Sequence, residues 1–171
     1  MRADGCPAAV PRGRVITVSD EAAAGRDPDR GGLLAVDLLT QAGVVADRVV
    51  VPDDPDLIRQ AIEAAAGDGV RVVLTCGGTG IGPSDHTADV VAGLVSFQIP
   101  GIAEEIRRRG AEQTPLALVS RQVAGAIVRP GRPAVFVLAS AGSRGGVRDA
   151  LAVVGGLLGY LIEQLDGAGH T

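Results

Sequence analysis

A continuous apolar run leads directly into a glycine-rich bend near the middle of the chain, and this pairing constrains the fold more than any other feature. The predicted strand covers residues 70–75, in which residues 72–74 are the continuous apolar part, and it is followed by Cys76-Gly77-Gly78-Thr79-Gly80. A short, uninterrupted apolar run rich in β-branched residues is typical of a strand that is covered on both faces. The pattern therefore predicts a buried strand with the glycines at its carboxyl end.

Strand and helix patterns alternate along the rest of the chain. Short apolar runs predict further strands at 14–18, 44–51, 126–128 and 134–138. Apolar residues at helical spacing predict helices at 33–42, from 54, from 87, at 102–109 with Gly110 as the stop, and at 147–165. This order predicts an α/β protein, a three-layer α/β/α fold with a mostly parallel central sheet. In such sheets, ligands bind beyond the carboxyl ends of the strands.

The chain reads as one domain. Its 171 residues are enough to bury a substantial core, and no repeat or linker interrupts them. We expect a flexible N-terminal tail at 1–13, a single domain at 14–166 and a C-terminal tail at 167–171.

Composition argues against several classes of partner. The net charge of −4 and the 2% of aromatic residues argue against nucleic-acid binding, which usually needs a basic surface and stacking rings. No lysine is present, which excludes a Walker-type lysine and Schiff-base chemistry. Continuous apolar runs fall short of a membrane span, and the first residues do not resemble a signal peptide, so we expect a cytoplasmic protein.

Other potentially reactive residues have simple structural interpretations. Cys6 and Cys76 give no metal framework, and Cys76 reads as a small buried thiol. The run 107–109 of three arginines reads as a solvated cluster that complements a helix dipole. His86 and His170 are too isolated in the sequence to indicate a metal site.

Glycines at a strand exit favour phosphate binding. The backbone amides of Gly77, Gly78 and Gly80 can approach an anion closely, and Thr79 adds a hydroxyl donor. The bend is not a dinucleotide fingerprint, because the last position of G-x-G-x-x-G, counted from Gly78, is a proline. Considered alone, such a bend is explained equally well by a tight turn without a ligand.

Two aspartates favour a phosphate site that uses magnesium. Asp85 lies just before a helix for which Thr87 is the expected N-cap, which leaves Asp85 to face the bend. A carboxylate beside bound phosphate requires an intervening cation, and Mg²⁺ is held by one or two carboxylates together with substrate phosphates. Asp53 follows another predicted strand and is the second candidate, because Asp54 with Pro55 is better explained as a helix start.

These residues are part of a series of motifs that resembles the MogA/MoaB molybdopterin-binding family. Segment 75–89, TCGGTGIGPSDHTAD, resembles the family's TTGGTG signature followed by an aspartate and a threonine before a helix. Further segments resemble family motifs in the same order, namely VITVSD at 15–20, VPDD at 51–54, IPGIAEE at 99–105 and TPLALVSRQ at 114–122. The resemblance covers residues 14–166, and several spaced motifs are more specific than one glycine loop.

The resemblance implies an activity and a site. It implies a cytoplasmic protein, commonly a homotrimer, that binds molybdopterin and, as a Mg²⁺-dependent molybdopterin adenylyltransferase, transfers AMP to it from ATP with release of pyrophosphate. By motif position, Asp53 and Asp85 would be the catalytic and magnesium-binding aspartates. The implied ligand-binding residues are Gly77, Gly78, Thr79, Gly80, Ser120 and Arg121.

Two segments depart from the family pattern. The family usually has a Leu-Pro-Gly-Ser-Pro turn where this chain reads LASAGSRGG at 138–146, and it often has Asp-Arg/Lys-Ser-Gly where this chain has DRGG at 29–32. Prolines would hold the amides of that turn in place, so their loss predicts a more mobile or reshaped loop. A non-catalytic pterin-binding or protein-interaction module is therefore an alternative to the enzyme, and a generic nucleotide-binding domain is a third hypothesis.

Overall fold

Six strands alternate with helices in the computed structural model, which describes residues 9–168. The strands are β1 (Arg12–Val18), β2 (Val45–Val51), β3 (Val72–Cys76), β4 (Phe97–Gln98), β5 (Val123–Ile127) and β6 (Val135–Ser140). The α-helices are α1 (Asp20–Ala23), α2 (Arg30–Gln41), α3 (Pro55–Gly67), α4 (Thr87–Leu94), α5 (Pro100–Ala111), α6 (Arg144–Val154) and α7 (Leu158–Leu165). Two 3-10 helices, η1 (Pro115–Val119) and η2 (Gly155–Leu157), complete the described elements.

The strands form one mostly parallel sheet in the order β2-β1-β3-β6-β5-β4. Strands β2, β1, β3 and β6 run parallel, whereas β5 is antiparallel to β6 and β4 is antiparallel to β5. The predicted buried strand is confirmed as β3, which lies between β1 and β6 with all five of its residues buried. The four parallel strands therefore bring their carboxyl ends to one edge of the sheet.

Helices cover both faces of the sheet, which confirms the three-layer fold. On one face, α2, α5, α6 and α7 bury residues such as Leu39, Ile106 and Leu158 against β1, β3 and β6. On the other face, α3 and α4 bury Ile62 and Val91 against the same sheet. Burial of side chains of this size contributes about 1.5 to 3 kcal/mol each, so two apolar layers hold the sheet rigidly beneath its carboxyl edge.

Capping residues determine where two of the helices begin. Asp54 caps α3 as expected, because its Oδ1 accepts hydrogen bonds from the amides of Asp56 (2.9 Å) and Leu57 (3.0 Å), and Pro55 occupies the first turn. Helix α2 begins at Arg30, earlier than predicted, because Asp29 caps it by accepting a hydrogen bond from the Gly32 amide at 3.0 Å. The connection between α1 and α2 therefore covers only residues 24–29.

Two predicted helices have different boundaries. Gly110 does not end a helix; it lies inside α5 and is buried, and a Cβ there would be 2.8 Å from that of Ala117. The predicted helix 147–165 begins earlier, at Arg144, and η2 interrupts it at Gly155–Leu157. Gly110 therefore allows η1 to pack closely against α5. Gly155 and Gly156 mark a helix break that hydrophobic periodicity does not reveal.

The stretch Arg144–Leu165 is, at 22 residues, long and apolar enough to cross a membrane by length and composition alone. Continuous apolar runs do not reveal this stretch, because Arg148 and Asp149 interrupt it in the sequence. Core helices of soluble proteins meet the same criterion, and here Val147, Leu151, Val154 and Leu158 pack into the core. One face of the stretch therefore packs into the core layer, while most of its apolar window, of which 28% is buried, is not in the core.

Some expectations fall outside the described part of the chain. Cys6, His170 and most of the predicted tails, 1–13 and 167–171, belong to segments beyond residues 9–168. Strand β1 begins at Arg12, two residues before the predicted domain start.

Candidate active site

The carboxyl edge of the sheet brings together four segments that are distant in the sequence. Val18 ends β1, Val51 ends β2, Cys76 ends β3 and Ser140 ends β6. Backbone hydrogen bonds join the segments, from the Ser19 amide to the Val51 carbonyl oxygen (3.0 Å) and from the Gly77 amide to the Ser140 carbonyl oxygen (3.0 Å). The glycine loop after β3 and the aspartates after β2 therefore share one edge, as the parallel pattern predicts.

The first two positions of the glycine loop accept only glycine. Gly77 and Gly78 have φ angles of 108° and 68°, in the left-handed region that disfavours residues with a Cβ. A Cβ on Gly77 would lie 2.3 Å from the Val18 carbonyl oxygen, and one on Gly78 would lie 2.2 Å from Thr87 Oγ1. The loop is thus folded tightly between the end of β1 and the start of α4.

Three amides of the loop remain available for an anion. Within residues 9–168, the amides of Gly78, Thr79 and Gly80 donate to no protein acceptor, whereas the Gly77 amide is already bonded to Ser140. Consecutive free amides of this kind form a concave donor surface suited to phosphate oxygens. Among the residues predicted to bind phosphate, residues 78–80 therefore have backbone amides that are free to donate to it. Gly77 instead turns the chain at the end of β3.

The side chain of Asp85 lies against this glycine loop. Its Oδ2 accepts a hydrogen bond from the Gly82 amide at 2.9 Å, and a Cβ on Gly80 would lie 2.6 Å from the same oxygen. The prediction that Thr87 is the N-cap of α4 was wrong. His86 occupies the N-cap position without a side-chain bond, and Thr87 Oγ1 is buried without a partner in the described structure. Asp85 is nevertheless left beside the loop, because its carboxylate does not cap the helix.

Asp53 is paired with Asp20, which sequence reasoning did not single out. The Asp20 amide donates to Asp53 Oδ2 at 3.2 Å, and the Asp53 amide donates to Asp20 Oδ1 at 2.9 Å. Partial burial raises the pKa of the Asp53 carboxyl group above its ordinary value, and the negative charges of Asp20 and Asp85 raise that pKa further. Asp20, Asp53 and Asp85 follow strands β1, β2 and β3 at the same edge of the sheet, and we refer to these three residues as the acidic rim.

Thr79 and Ser120 form a pair of hydroxyls beside the glycine loop. Thr79 Oγ1 lies 3.2 Å from Ser120 Oγ, and Thr79 is buried. Arg107, one of the three arginines expected to be solvated, instead donates to the carbonyl oxygens of Ser120 (3.4 Å) and Gln122 (3.1 Å). The segment that carries Ser120 is thus fixed from the α5 side.

Arg121 clamps the glycine loop with its guanidinium group. Its Nε donates to the Gly80 carbonyl oxygen and one terminal nitrogen donates to the Asp85 carbonyl oxygen, both at 2.7 Å. The other terminal nitrogen binds the Asp89 carboxylate at 2.9 and 3.0 Å. All three nitrogens already donate to protein oxygens, so this geometry favours a positioning role for Arg121 over the phosphate contact suggested by its motif position.

Two cavities flank the glycine loop. One, of about 290 Å³, is lined by Gly78, Thr79, Gly80, Asp85, Ser120 and Gly142, among others. The second, of about 480 Å³, lies on the β1 side and includes Ser19, Arg30, Cys76, Gly142 and Arg144. Gly142 lines both cavities, so the 138–146 segment forms the wall between them.

The residues at this edge do not by themselves form a complete metal site. Within residues 9–168, no group of three or more His, Cys, Asp or Glu side chains is arranged to hold a metal ion. Magnesium commonly uses one or two protein carboxylates and takes its other ligands from water and substrate phosphates. Asp85 beside free loop amides, with Asp53 at the same edge of the sheet, fits such an ion, which would be held jointly by protein and substrate.

Residues 14–158 match the model of a family described as a probable molybdopterin binding domain. A molybdenum cofactor biosynthesis bifunctional protein of Synechococcus elongatus is 40% identical over 157 residues, which make up 91% of this chain and 48% of that protein. A molybdopterin adenylyltransferase of Pyrococcus furiosus is 31% identical over 140 residues, covering 82% of each chain. This chain spans about half the length of the two bifunctional proteins that it matches.

Solved structures of proteins named for molybdopterin or tungsten cofactor biosynthesis have the same fold. A molybdopterin biosynthesis protein from Mycobacterium abscessus superposes with a TM-score of 0.83 and 39% identity, covering 92% of this chain and 98% of that one. The tungsten cofactor synthesizing protein MoaB from Pyrococcus furiosus gives a TM-score of 0.85 at 28% identity, covering 93% and 99%.

Proposed function

This chain belongs to the family of probable molybdopterin-binding domains, and we propose that it acts in molybdenum cofactor biosynthesis by binding molybdopterin and transferring AMP to it from ATP. The observation that carries the proposal is the loop with free amides at Gly78, Thr79 and Gly80, with Asp85 against it and Asp53 after β2 at the same edge of the sheet. The names of relatives that are molybdopterin adenylyltransferases favour this reaction over a non-catalytic pterin-binding module.

The proposed reaction is a displacement at phosphorus. An oxygen of the terminal phosphate of molybdopterin forms a bond to the α-phosphorus of ATP, and the bond between that phosphorus and the oxygen bridging to the β-phosphate breaks. Pyrophosphate leaves with the bonding electron pair, and the products are adenylylated molybdopterin and pyrophosphate. Such a step needs alignment of two anionic groups and stabilisation of the charge that develops between them.

The loop amides can stabilise the charge that develops between the two anionic groups. In this proposal, the amides of Gly78, Thr79 and Gly80 donate to the phosphate oxygens, and the Thr79 and Ser120 hydroxyls add donors from the side. Arg121 acts indirectly, because its bonds to the Gly80 and Asp85 carbonyl oxygens hold the donors in place before substrate arrives. A preorganised donor surface of this kind stabilises charge without reorganising during the reaction.

Asp53 and Asp85 would hold the magnesium ion that the reaction is expected to require. Such an ion would neutralise phosphate charge and orient the reacting oxygens. The acidic rim supports this role, since a carboxylate such as that of Asp85, which lies against the loop, is unfavourable beside bound phosphate unless a cation lies between them.

The same family membership supports further proposals about the whole protein. We infer a cytoplasmic homotrimer in which residues 14–166 form the molybdopterin-binding domain and 1–13 and 167–171 are tails. Exposed apolar side chains on the described surface, among them Ile81, Leu116 and Leu118, would suit subunit contacts. Light scattering coupled to size-exclusion chromatography measures the assembly, and a monomeric mass at micromolar concentration would contradict it.

The test of the activity is direct. Purified protein is incubated with ATP, Mg²⁺ and molybdopterin, and adenylylated molybdopterin and pyrophosphate are measured against an authentic family enzyme as a positive control. We expect equimolar formation of both products, and loss of both when EDTA removes the metal. Absence of product under conditions in which the positive control turns over would refute the proposal.

A further inference from the structure

The outer face of the stretch Arg144–Leu165 is apolar but lies outside the core. Helix α6, η2 and α7 form this stretch, and its inner face packs on the sheet through residues such as Val147 and Leu158. On the outer face, the large apolar side chains of Leu157 and Tyr160 are exposed. An uncovered apolar helix face of this length indicates a contact with another molecule.

Small residues form a stripe along this outer face. With about 3.6 residues per turn, positions 148, 152, 155, 156, 159 and 163 fall on one side of the stretch. The ends of the stripe are Arg148 and Glu163, and between them lie Ala152, Gly155, Gly156 and Gly159. All of these residues are exposed except Gly155, which is half-buried. The glycines leave room for a second helix to approach to about 8 Å, the lower end of the usual distance between helix axes.

A groove runs beside the stripe. It lies between α2 and α6 and has a volume of about 440 Å³. Its walls include Leu38 and Ala42 from α2 and Leu151, Ala152 and Gly155 from the stretch. This mainly aliphatic groove suits side chains that project from a helix lying along the stripe.

The two ends of the stripe carry opposite charges that have no partner in the described structure. Within residues 9–168, neither Arg148 nor Glu163 makes an ion pair, and Asp149, next to Arg148 in the sequence, is bound by Arg109 instead. Along a helix, positions 148 and 163 are separated by about 22 Å, so these two side chains cannot bind each other. Each charge is therefore available to another molecule.

The stripe is complementary to itself. Its centre lies between Gly155 and Gly156, and positions at equal distances from this centre are Ala152 with Gly159 and Arg148 with Glu163. If two copies of the stretch lie antiparallel with their centres together, small residues face small residues. Arg148 of each copy then faces Glu163 of the other. A contact around a two-fold axis requires this kind of self-complementarity.

We propose that this face is an interface between two copies of the chain, with the two-fold axis passing between Gly155 and Gly156. The inference goes beyond the proposed activity. The half of the stripe that ends at Glu163 lies beside Arg12 at the start of β1, at the opposite edge of the sheet from the glycine loop. By itself the contact gives a dimer, and together with the homotrimer proposed above it gives a closed dihedral assembly. Both assemblies contain an even number of protomers.

Sedimentation equilibrium of the full chain measures the assembly. At micromolar concentration, we expect a mass that is an even multiple of the 17.2 kDa protomer. Gly159→Gln should raise the dissociation constant of the two-fold contact at least a hundredfold, because the new side chain separates the paired helices. A Cβ at Gly159 meets nothing within 4 Å, and glutamine favours a helix, so helix content by circular dichroism should not fall. Gly101→Gln is the control, since Gly101 is likewise the second residue of a helix with nothing within 4 Å, and it should keep the wild-type mass.

Reversal of the end charges tests the register. Arg148→Glu or Glu163→Arg alone places like charges opposite each other twice across the axis, so each variant should dissociate at least tenfold more readily than the wild type. An equal mixture of the two variants should associate as tightly as the wild type, because each copy supplies the charge that the other lacks. Arg132→Glu, an exposed residue between β5 and β6, should have no effect.

Three results would overturn the interface. They are a monomeric or trimeric wild type, an unchanged mass in Gly159→Gln, and a mixture of Arg148→Glu with Glu163→Arg that does not associate. A monomer that sediments with phosphatidylcholine vesicles would instead assign the face to a membrane surface. The trimer and the activity are judged separately, because a wild-type dimer refutes the homotrimer but not this contact, and product formation alone decides the adenylyl transfer.

Discussion

Gly31 and Gly142, which lie in loops far apart in the sequence, are in backbone contact at the carboxyl edge of the sheet. A Cβ built on Gly31 would lie 2.2 Å from the Gly142 carbonyl oxygen, and one built on Gly142 would lie 3.2 Å from the Cα of Gly77. Residue 31 has no space for a side chain unless the 138–146 segment moves. Backbone atoms, with no side chain between them, therefore connect the start of α2, the loop before α6 and the glycine loop.

This contact joins the two segments in which the chain departs from the MogA/MoaB pattern. Gly31 replaces the serine that the family often has, and Gly142 lies in the segment that replaces the proline-containing turn. Ser143 anchors the new segment, because it caps α6 by accepting a hydrogen bond from the Gly146 amide at 3.1 Å. The sequence predicts a mobile or reshaped loop, and in the structure this segment approaches Gly31 so closely that residue 31 cannot carry a side chain.

Gly31→Ser should therefore disturb the protein, although serine is the family's own residue. We expect a loss of about 1 to 3 kcal/mol in the free energy of unfolding, the usual effect of overpacking a tight contact. Displacement of Gly142 should also alter the wall between the two cavities and lower kcat/KM for adenylyl transfer at least tenfold. Urea denaturation and the transfer assay measure these effects.

Gly145→Ala is the control for that variant. Gly145 lies in the first turn of α6, and a Cβ there meets nothing within 4 Å. Alanine at this position should match or slightly exceed wild-type stability, because it favours the helix. If Gly31→Ser is as stable and active as Gly145→Ala, the backbone contact does not position the loop.

The parts of the site that depend on local chemistry were predictable. Asp54 and Pro55 specify a helix start through capping and a fixed φ angle, and β3 specifies its burial through a continuous apolar run. Parallel strands then place the glycine loop and Asp53 at one edge without any knowledge of their contacts. Periodicity and capping are sequence-local properties, which is why they are visible before the fold is known.

Contacts between distant segments were not predictable in the same way. Arg121 binds loop carbonyl oxygens 36 and 41 residues away, and the pairing of Asp20 with Asp53 joins residues 33 apart. A motif shows that an arginine is near a site, but only tertiary structure shows that its donors are already used. The sequence could not show for the same reason that the buried Gln122 Oε1 has no hydrogen-bond partner within residues 9–168, since this depends on its neighbours in space.

Asp53→Asn should stabilise the protein at neutral pH. A raised pKa in the folded state means that ionisation of Asp53 favours unfolding, so stability is greatest below the ordinary pKa of 3.8 and decreases as the pH rises through the folded-state value. The variant should exceed the wild type by less than about 1 kcal/mol at pH 7, since solvent screens a partly exposed group. The gain should shrink toward zero as the pH falls to about 4, as measured by urea denaturation.

Asp47→Asn is a control with the opposite sign. The hydrogen bond and the charge of Arg14 lower the pKa of Asp47, so its ionised form stabilises the folded state. This contribution is present above the ordinary pKa and is lost as the pH falls through the lowered value. Asp47→Asn should therefore be less stable than the wild type at pH 7. If Asp53→Asn is also less stable at pH 7, the acidic rim is not a source of repulsion.

Arg121→Lys should loosen the glycine loop. An ammonium group cannot reproduce the planar contacts to Gly80, Asp85 and Asp89, so at least two charge-assisted hydrogen bonds are lost. We expect a loss of about 2 kcal/mol in unfolding free energy and faster hydrogen exchange at residues 78–85. Arg129→Lys is the control, because the Arg129 guanidinium lies 3.7 Å from Glu63 and makes only a weak ion pair. Equal exchange rates in the two variants would contradict the clamp.

Cys76 should be unreactive in the folded protein. Burial raises the pKa of its thiol from 9.0 to about 12, so at pH 8 its thiolate fraction is about a thousandfold lower than that of an ordinary cysteine. In a Cys6→Ser background, where Cys76 is the only thiol, iodoacetamide should label the native protein at least a hundredfold more slowly than the protein in urea. Comparable rates would show that the end of β3 opens readily to solvent.

Asp85→Asn should separate binding from turnover. Asparagine can keep the hydrogen bond that the Gly82 amide donates to residue 85, so the loop should retain its shape while the negative charge is lost. If Asp85 and Asp53 together hold magnesium against the substrate phosphates, the transfer rate should fall by at least a hundredfold, whereas the Kd for molybdopterin without metal should change less than threefold. Asp37→Asn, an exposed aspartate on α2, should leave both values unchanged. Equal losses in binding and rate would indicate that Asp85 shapes the loop instead of acting on the metal-bound phosphates.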